Sequence, residues 1–312
     1  MKALSRVVSL SLISAAVLAA CGGGGSDNTP AAPSGPRSLS ISFDMIANGV
    51  AAKCGTPITG LGSKSSTVDL QNAAFYVSNI NLVDAAGNLT PVTLASNDWQ
   101  YDKVALINFN DGSSTACGGK AQATNAVITG TVPAGNYVGI QYEIGVPESL
   151  NHTDYATAPK PLNVQSMAWS WTSGRKFMLL EVNPVGGVTV TRTNNTTNPP
   201  TVTSSTQASW YTHLGATGCT SDATKGTYAC TNANRMLVRL NSFNPDTQKI
   251  TLDLNAMYNN VDLTSDTAGA PGCMSGKTDT ECQGVFSNLK IDLNSGNPAT
   301  AGIQSVFIAR AK

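Results

Sequence analysis

The chain has 312 residues, of which 41% are hydrophobic and only 12% charged, and its 19 basic and 19 acidic side chains cancel. Zero net charge without a run of like charges excludes the basic face that a nucleic-acid binder needs to neutralise phosphates. Gly, Thr, Ser and Asn are plentiful while Glu and Lys are scarce, a balance that favours strands and turns over helices.

Residues 1–20 read as an export signal. Lys2 and Arg6 charge the start, and "VVSLSLISAAVLAA" follows as a short apolar run. That run is shorter than a membrane-crossing helix needs. It ends in "LAAC", Leu18 to Cys21, which resembles a bacterial lipobox. The resemblance implies cleavage before Cys21 and diacylation of its thiol; a plain secretory peptide is the other reading. Gly22, where an Asp would favour inner-membrane retention, points to the outer membrane. Without Lys2 and Arg6 the mature chain is slightly acidic. Residues 21–37 form the lipidated cysteine and a Gly/Pro-rich tether, "GGGGSDNTPAAPSGPR", spanning about 20–25 Å on average if flexible. The membrane would then be met through the lipid anchor only.

From Ser38 the apolar pattern has period two. "LSISF" alternates, and "FYVSNINLVDAAGNLTPVTL" reads as a hairpin turning at Ala86-Gly87-Asn88. "KVALINF" is a short strand. "AVITGTVPAGNYVGIQYEIGV" reads as a second hairpin around Pro133–Asn136, and "RKFMLLEVN" as a further strand. Residues 185–209 are Thr/Asn/Ser-rich and read as an inserted surface hairpin or loop. "MLVRLNSFNPDTQKITLDL" reads as a third hairpin turned by Asn244-Pro245-Asp246, and "QSVFIAR" as a closing strand. Helical turns are expected near 254–260 and 284–289. The whole predicts an all-β fold over 38–312. It would be a single antiparallel β-sandwich or barrel-like domain with long loops and disulfides.

Apart from Cys21, six cysteines remain: Cys54, Cys117, Cys219, Cys230, Cys273 and Cys282. In an exported chain an even number reads as disulfides. Several pairings are open. The sequence-local choice joins Cys219 to Cys230 and Cys273 to Cys282, leaving Cys54 with Cys117. Thiolate metal ligation is the rival reading, and the lack of any CxxC pair weighs against it.

The chain lacks a G-x-S-x-G elbow, an H-E-x-x-H helix, a Walker A loop and a G-x-G-x-x-G turn after a strand. Its two histidines are His152 in "LNHTDY" and His213 in "WYTHLG". Two imidazoles meeting at one point would suit copper or zinc, and a thioether from Met167, Met178 or Met274 would favour Cu(I). In "MAWSW", residues 167–171, period two would put Met167, Trp169 and Trp171 on one face. Such a face commonly packs into a core.

A set of motifs in order changes the weighting. "FYVSNINLVDAAGNLTPVTL", "VALINFNDGSSTAC", "GTVPAGNYVGIQYEIGVPESLNH", "APKPLNVQSMAWSWTSGRKF", "HLGATGC" and "GCMSG" resemble the MbnP-like family of periplasmic copper-binding proteins. The family is also described as the four-Cys-motif half of a metallo-mystery pair. The likeness spans about residues 38–290. The 185–209 insertion departs from the pattern, as does Arg175, where relatives tend to carry an aromatic.

The resemblance implies that the protein is not an enzyme but the substrate of one, a di-heme cytochrome c peroxidase-like partner that converts a tryptophan to kynurenine. Trp171 is slightly preferred over Trp169, with Trp210 a third candidate. It implies copper ligation by His152 and His213, with Met274 as a weaker third ligand. Cys219, Cys230, Cys273 and Cys282 would be disulfides that fix the loops. Two other readings remain: a surface adhesin or glycan-binding module with an exposed aromatic platform, and an extracytoplasmic hydrolase whose histidine bonds a serine or carboxylate.

Overall fold

The computed structural model describes residues 35–112, 117, 123–169, 173–222, 227–299 and 302–312. The leader, Cys21, most of the tether and Trp171 lie outside the described residues.

Two sheets face each other. The smaller one is built on strand Pro36–Ala47, which starts inside the stretch expected to be tether. It pairs antiparallel with Val127–Pro133 and parallel with Gln248–Asp253; Phe307–Ala311 closes that edge, and Thr93–Leu94 the other. The larger sheet is centred on the 19-residue strand Ser66–Asp84. Tyr137–Ile144 flanks it on one side, followed by Met236–Leu240. Lys176–Pro184 flanks it on the other, followed by Trp210–Gly215 and Gly272–Cys273. The fold is the expected all-β sandwich, mostly antiparallel; the pairings of 36–47 with 248–253, 188–194 with 265–266, and 210–215 with 272–273 are parallel.

The two sheets meet through aromatic rings. Phe43 and Phe307 come from the smaller sheet, Phe75 and Tyr142 from the larger. They pack edge to face with centroids 5.4–6.2 Å apart. That is the favoured geometry for ring quadrupoles. Ala73 through Ser78 are all buried, because the central strand is covered on both faces. Odd positions such as Phe75 enter the sandwich. Tyr76 points the other way and donates its hydroxyl to the carbonyl of Pro161, 2.9 Å away, in a long loop laid over the outer face.

Two expected hairpins are not hairpins. Val127–Pro133 belongs to the smaller sheet and Tyr137–Ile144 to the larger, and the same split separates Met236–Leu240 from Gln248–Asp253. Short turns there carry the chain from one layer to the other, and period two alone cannot tell which sheet an apolar face enters. The hairpin at 86–88 forms, since Val83 pairs with Leu89, but Thr93–Leu94 then crosses to the smaller sheet. The insertion is a surface hairpin, Val188–Asn194 paired with Thr201–Gln207, the latter exposed throughout. The expected helical turns are Leu254–Met257 and Cys282–Leu289. Met167 is not in a strand: residues Gln165–Met167 make a 3-10 turn.

The disulfides are Cys54–Cys117, Cys219–Cys230 and Cys273–Cys282. Replacing Phe75, which is 1% exposed and touches rings from both layers, should test the sandwich directly. Phe75→Ala is expected to cost about 3–5 kcal/mol in chemical denaturation, with two-state unfolding retained.

Candidate metal centre

The site lies on the outer face of the larger sheet, beneath the loop that runs from Tyr137–Ile144 to Lys176–Pro184. Along Trp210–Gly215 alternate residues face opposite ways. Trp210, Thr212 and Leu214 enter the core. Trp210 is fully buried, 5.8 Å edge-on to Tyr258, whose hydroxyl meets that of Thr212 at 3.2 Å. Tyr211, His213 and the position of Gly215 face outward.

On that outer face His213 has a carboxylate partner. Its Nε2 lies 2.6 Å from Oε1 of Glu181 on the neighbouring strand. The other carboxylate oxygen accepts from the amide of Asn72 on the central strand. Burial raises the Glu181 carboxyl, but hydrogen bonds from His213 and Asn72 and the charges of His213 and Lys176 outweigh it, so it sits below the ordinary carboxylate value. An ionised carboxylate accepts only, so Nε2 carries a proton, and whenever the ring is neutral Nδ1 presents a lone pair. Nδ1 is buried without a hydrogen-bond partner among the described residues. An orphaned buried acceptor costs about 1–3 kcal/mol unless something fills it.

The Trp169 ring lies over Gly215, which is on the same strand as His213. A Cβ on Gly215 would fall 2.5 Å from Cζ3 and 3.0 Å from Cη2 of the indole, so the ring rests where that side chain would be. Gly215 is two residues beyond His213, hence on the same face. The backbone N–H of Trp169 donates to the carbonyl of Gly174, and Ala168 bridges Arg175. Trp171 belongs to the segment outside the described residues.

Met274 directly follows the edge strand Gly272–Cys273. Tyr211 pairs with Gly272 and Thr212 with Cys273, so the register carried one residue further sets Met274 level with His213. Ser275 pins this end of the strand: its hydroxyl donates to the His213 carbonyl at 2.8 Å and accepts from the Gly215 N–H at 3.1 Å. Met167 and Met178 are 1% and 0% exposed and belong to the core cluster.

His152 has different surroundings. It follows the short helix Glu148–Asn151, and its ring stacks on Tyr228 at 4.9 Å. Nε2 lies 3.2 Å from Sγ of Cys230 and 3.1 Å from the Asn151 amide nitrogen. Among the described residues, His152, Cys219 and Cys230 form the one group of three metal-capable side chains whose ligand atoms all lie within 4.8 Å, and His213 is not in it. In this structure each imidazole has its own partner, Glu181 for His213 and the Cys230 sulfur for His152. Both belong to one neighbourhood, because Asn151 accepts from the Arg175 N–H in the turn that carries Trp169.

The profile of the MbnP family matches residues 36–275. The chain belongs to the MbnP family. Its structure is similar to that of MbnP from Methylosinus trichosporium, with 32% sequence identity and a TM-score of 0.77, covering 89% of this chain and 99% of that one. No curated protein matches significantly. The matched span of this MbnP-family chain includes His152, Trp169, His213 and Met274.

Residues that the sequence did not point to complete the neighbourhood. Glu181 is the lone acid in the apolar strand "KFMLLEVN", a signal in plain view. Arg175 is 2% exposed, and its guanidinium donates to the carbonyls of Leu150, Asn151, Thr153 and Leu162 at 2.6–3.0 Å. Gly174 at φ +75° leaves room for Asn151, whose amide would meet a Cβ at 2.5 Å. Removing the guanidinium strands several buried carbonyls. Arg175→Met is expected to cost about 2–5 kcal/mol in chemical denaturation and to loosen the loop first, seen as faster amide exchange at 148–167.

Near Met274, burial pushes the Asp279 carboxyl up to about 7, with the hydrogen bond and charge of Glu281 adding to the rise. The folded state thus disfavours the ionised form, and stability contributed by this group falls as pH rises from about 4 to about 7. Asp279→Asn keeps the acceptor for the Glu281 N–H. The variant should be more stable than the parent above pH 7, the gap closing on acidification, as read from denaturant midpoints across pH.

Proposed function

We propose that the mature chain is a lipid-anchored periplasmic copper-binding protein, and that a di-heme peroxidase-like partner completes its site by oxidising Trp169 to kynurenine. The observation that carries this is the Nδ1 of His213, buried and without a hydrogen-bond partner among the described residues, on the same strand face as Gly215, over which the Trp169 ring lies. Imidazole nitrogen and thioether sulfur are donors that copper accepts. His213 would bind through Nδ1, Met274 stands at its level, and kynurenine would add an aryl amine and a carbonyl. His152, one residue from the Asn151 that grips the Trp169 turn, would join from the loop. Copper is here cargo, and import, storage and sensing all suit a tethered binder.

The chain supplies position rather than chemistry. Glu181 fixes the proton on Nε2 of His213. Gly215 seats the indole. Oxidation inserts two oxygen atoms across the indole C2–C3 bond, for which two peroxides reduced to water at the partner's heme account. Hydrolysis then releases the formyl carbon as formate. Neutral imidazoles are needed, so copper affinity falls as acid protonates them.

The hydrolase reading finds its carboxylate in Glu181 but no hydroxyl on Nδ1 of His213 among the described residues. The glycan-binding reading needs an exposed aromatic platform. Among the described residues Tyr101, 38% exposed, is the aromatic that stands out from the surface.

Co-expression with the heme partner tests the proposal by intact mass and by copper retained after desalting. The expected mass change is the loss of one carbon and gain of one oxygen, abolished by Trp169→Phe. Glu181→Gln should keep the mass change but lower copper affinity about 10–100-fold. An unchanged mass with active partner present, or a change that survives Trp169→Phe, overturns the assignment.

A further inference from the structure

We propose that the Cys219–Cys230 disulfide is redox-active, and that its reduction opens a second soft-metal site in which both thiolates and Nε2 of His152 hold Cu(I). This site is separate from the one built on Trp169 and His213, though it draws on the same His152.

Three observations carry the proposal. The first is accessibility. Cys219 and Cys230 are both half-buried, whereas Cys117, Cys273 and Cys282 are 0–1% exposed and Cys54 is 9% exposed. A reductant must reach a sulfur, so this bridge is the one that reacts first. The second is geometry. Cys219 and Cys230 face each other directly across the antiparallel strands Thr217–Asp222 and Thr227–Asn232, so both sulfurs leave the same face of the hairpin. Nε2 of His152 already lies 3.2 Å from Sγ of Cys230, and all three ligand atoms lie within 4.8 Å. A cation with metal–sulfur bonds near 2.3 Å and a metal–nitrogen bond near 2.0 Å wants such atoms roughly 3.5–4 Å apart. Once the sulfur–sulfur bond is gone, only a small parting of the two sulfurs is required.

The third observation is the state of the imidazole. The Asn151 carbonyl oxygen is taken by the Arg175 N–H, so its amide nitrogen faces His152 and donates to Nε2. In that tautomer Nε2 carries no proton, the form a metal needs, and its one lone pair, which accepts from Asn151, is what the metal would take over. Stacking on Tyr228 holds the ring in that plane.

The steps balance with a dithiol reductant. The dithiol loses two electrons and two protons and becomes a disulfide; the Cys219–Cys230 bond takes up both and becomes two thiols. Binding one Cu(I) then releases both thiol protons. Two thiolates and one imidazole make a three-coordinate donor set, which suits a soft cation.

The test uses the full mature chain with His213→Ala, so that the site of the Trp169 reading is disabled and the two proposals fail separately. The protein is mildly reduced, freed of reductant without oxygen, and titrated with Cu(I) against a chromogenic chelator. Free thiols are counted in parallel. The expected result is two thiols, both mapped by alkylation to Cys219 and Cys230. One Cu(I) per chain should be gained over the oxidised protein, with thiolate-to-copper absorption in the ultraviolet. Cys219→Ser/Cys230→Ser should lose the gain, and His152→Gln should weaken it at least tenfold while leaving the thiol count intact. If thiols appear first at another bridge, if the reduced chain gains no copper, or if the gain survives the double serine variant, the proposal is wrong.

Discussion

A single buried guanidinium organises the functional half of the molecule. The loop over the outer sheet face is long and has little secondary structure of its own, so its carbonyls need donors from elsewhere. Arg175 supplies them to Leu150, Asn151, Thr153 and Leu162. Burial lowers its pKa, and the nearby Tyr76 and Asp154 oppose that. Tyr76 adds its own bond to Pro161 from the central strand. His152 and the Trp169 turn both hang from this arrangement, one on either side of the arginine's reach. A position that looked like a departure from the family pattern is thus the anchor of the loop.

The sheet below contributes a second layer of order. Asn72, Glu181 and His213 stand on three adjacent strands and form one chain of hydrogen bonds across them. Since strand register is set by the apolar face in the sandwich, the polar chain on the other face is set by the same packing. The site is therefore as rigid as the aromatic cluster of Phe43, Phe75, Tyr142 and Phe307 beneath it.

Period two in "LSISF" and the short apolar run in "KFMLLEVN" made the strands legible, and cysteine spacing made the two short disulfides legible. The layers were not: "TVPAGNY" looks like a hairpin turn, but its flanking strands enter different sheets, and nothing local encodes that choice. His213 and Trp169 were visible as rare residues in a family pattern. The partners of the two imidazoles were not, because Glu181 and Cys230 arrive from distant parts of the chain. The cross-strand pair Cys219–Cys230 carries no CxxC signature, so a motif search passes over its closeness to an imidazole.

Gly215 has one more consequence. The indole atoms lying against it, Cζ3 and Cη2, belong to the six-membered ring. Any chemistry that opens the five-membered ring cuts the half that is not clamped. An amine and a carbonyl left by such a cut would both stay bonded to the seated benzene ring, the amine fixed in its plane and the carbonyl turning about one bond. The bare backbone at Gly215 thus acts as a vice, holding the workpiece by the end that is not being worked.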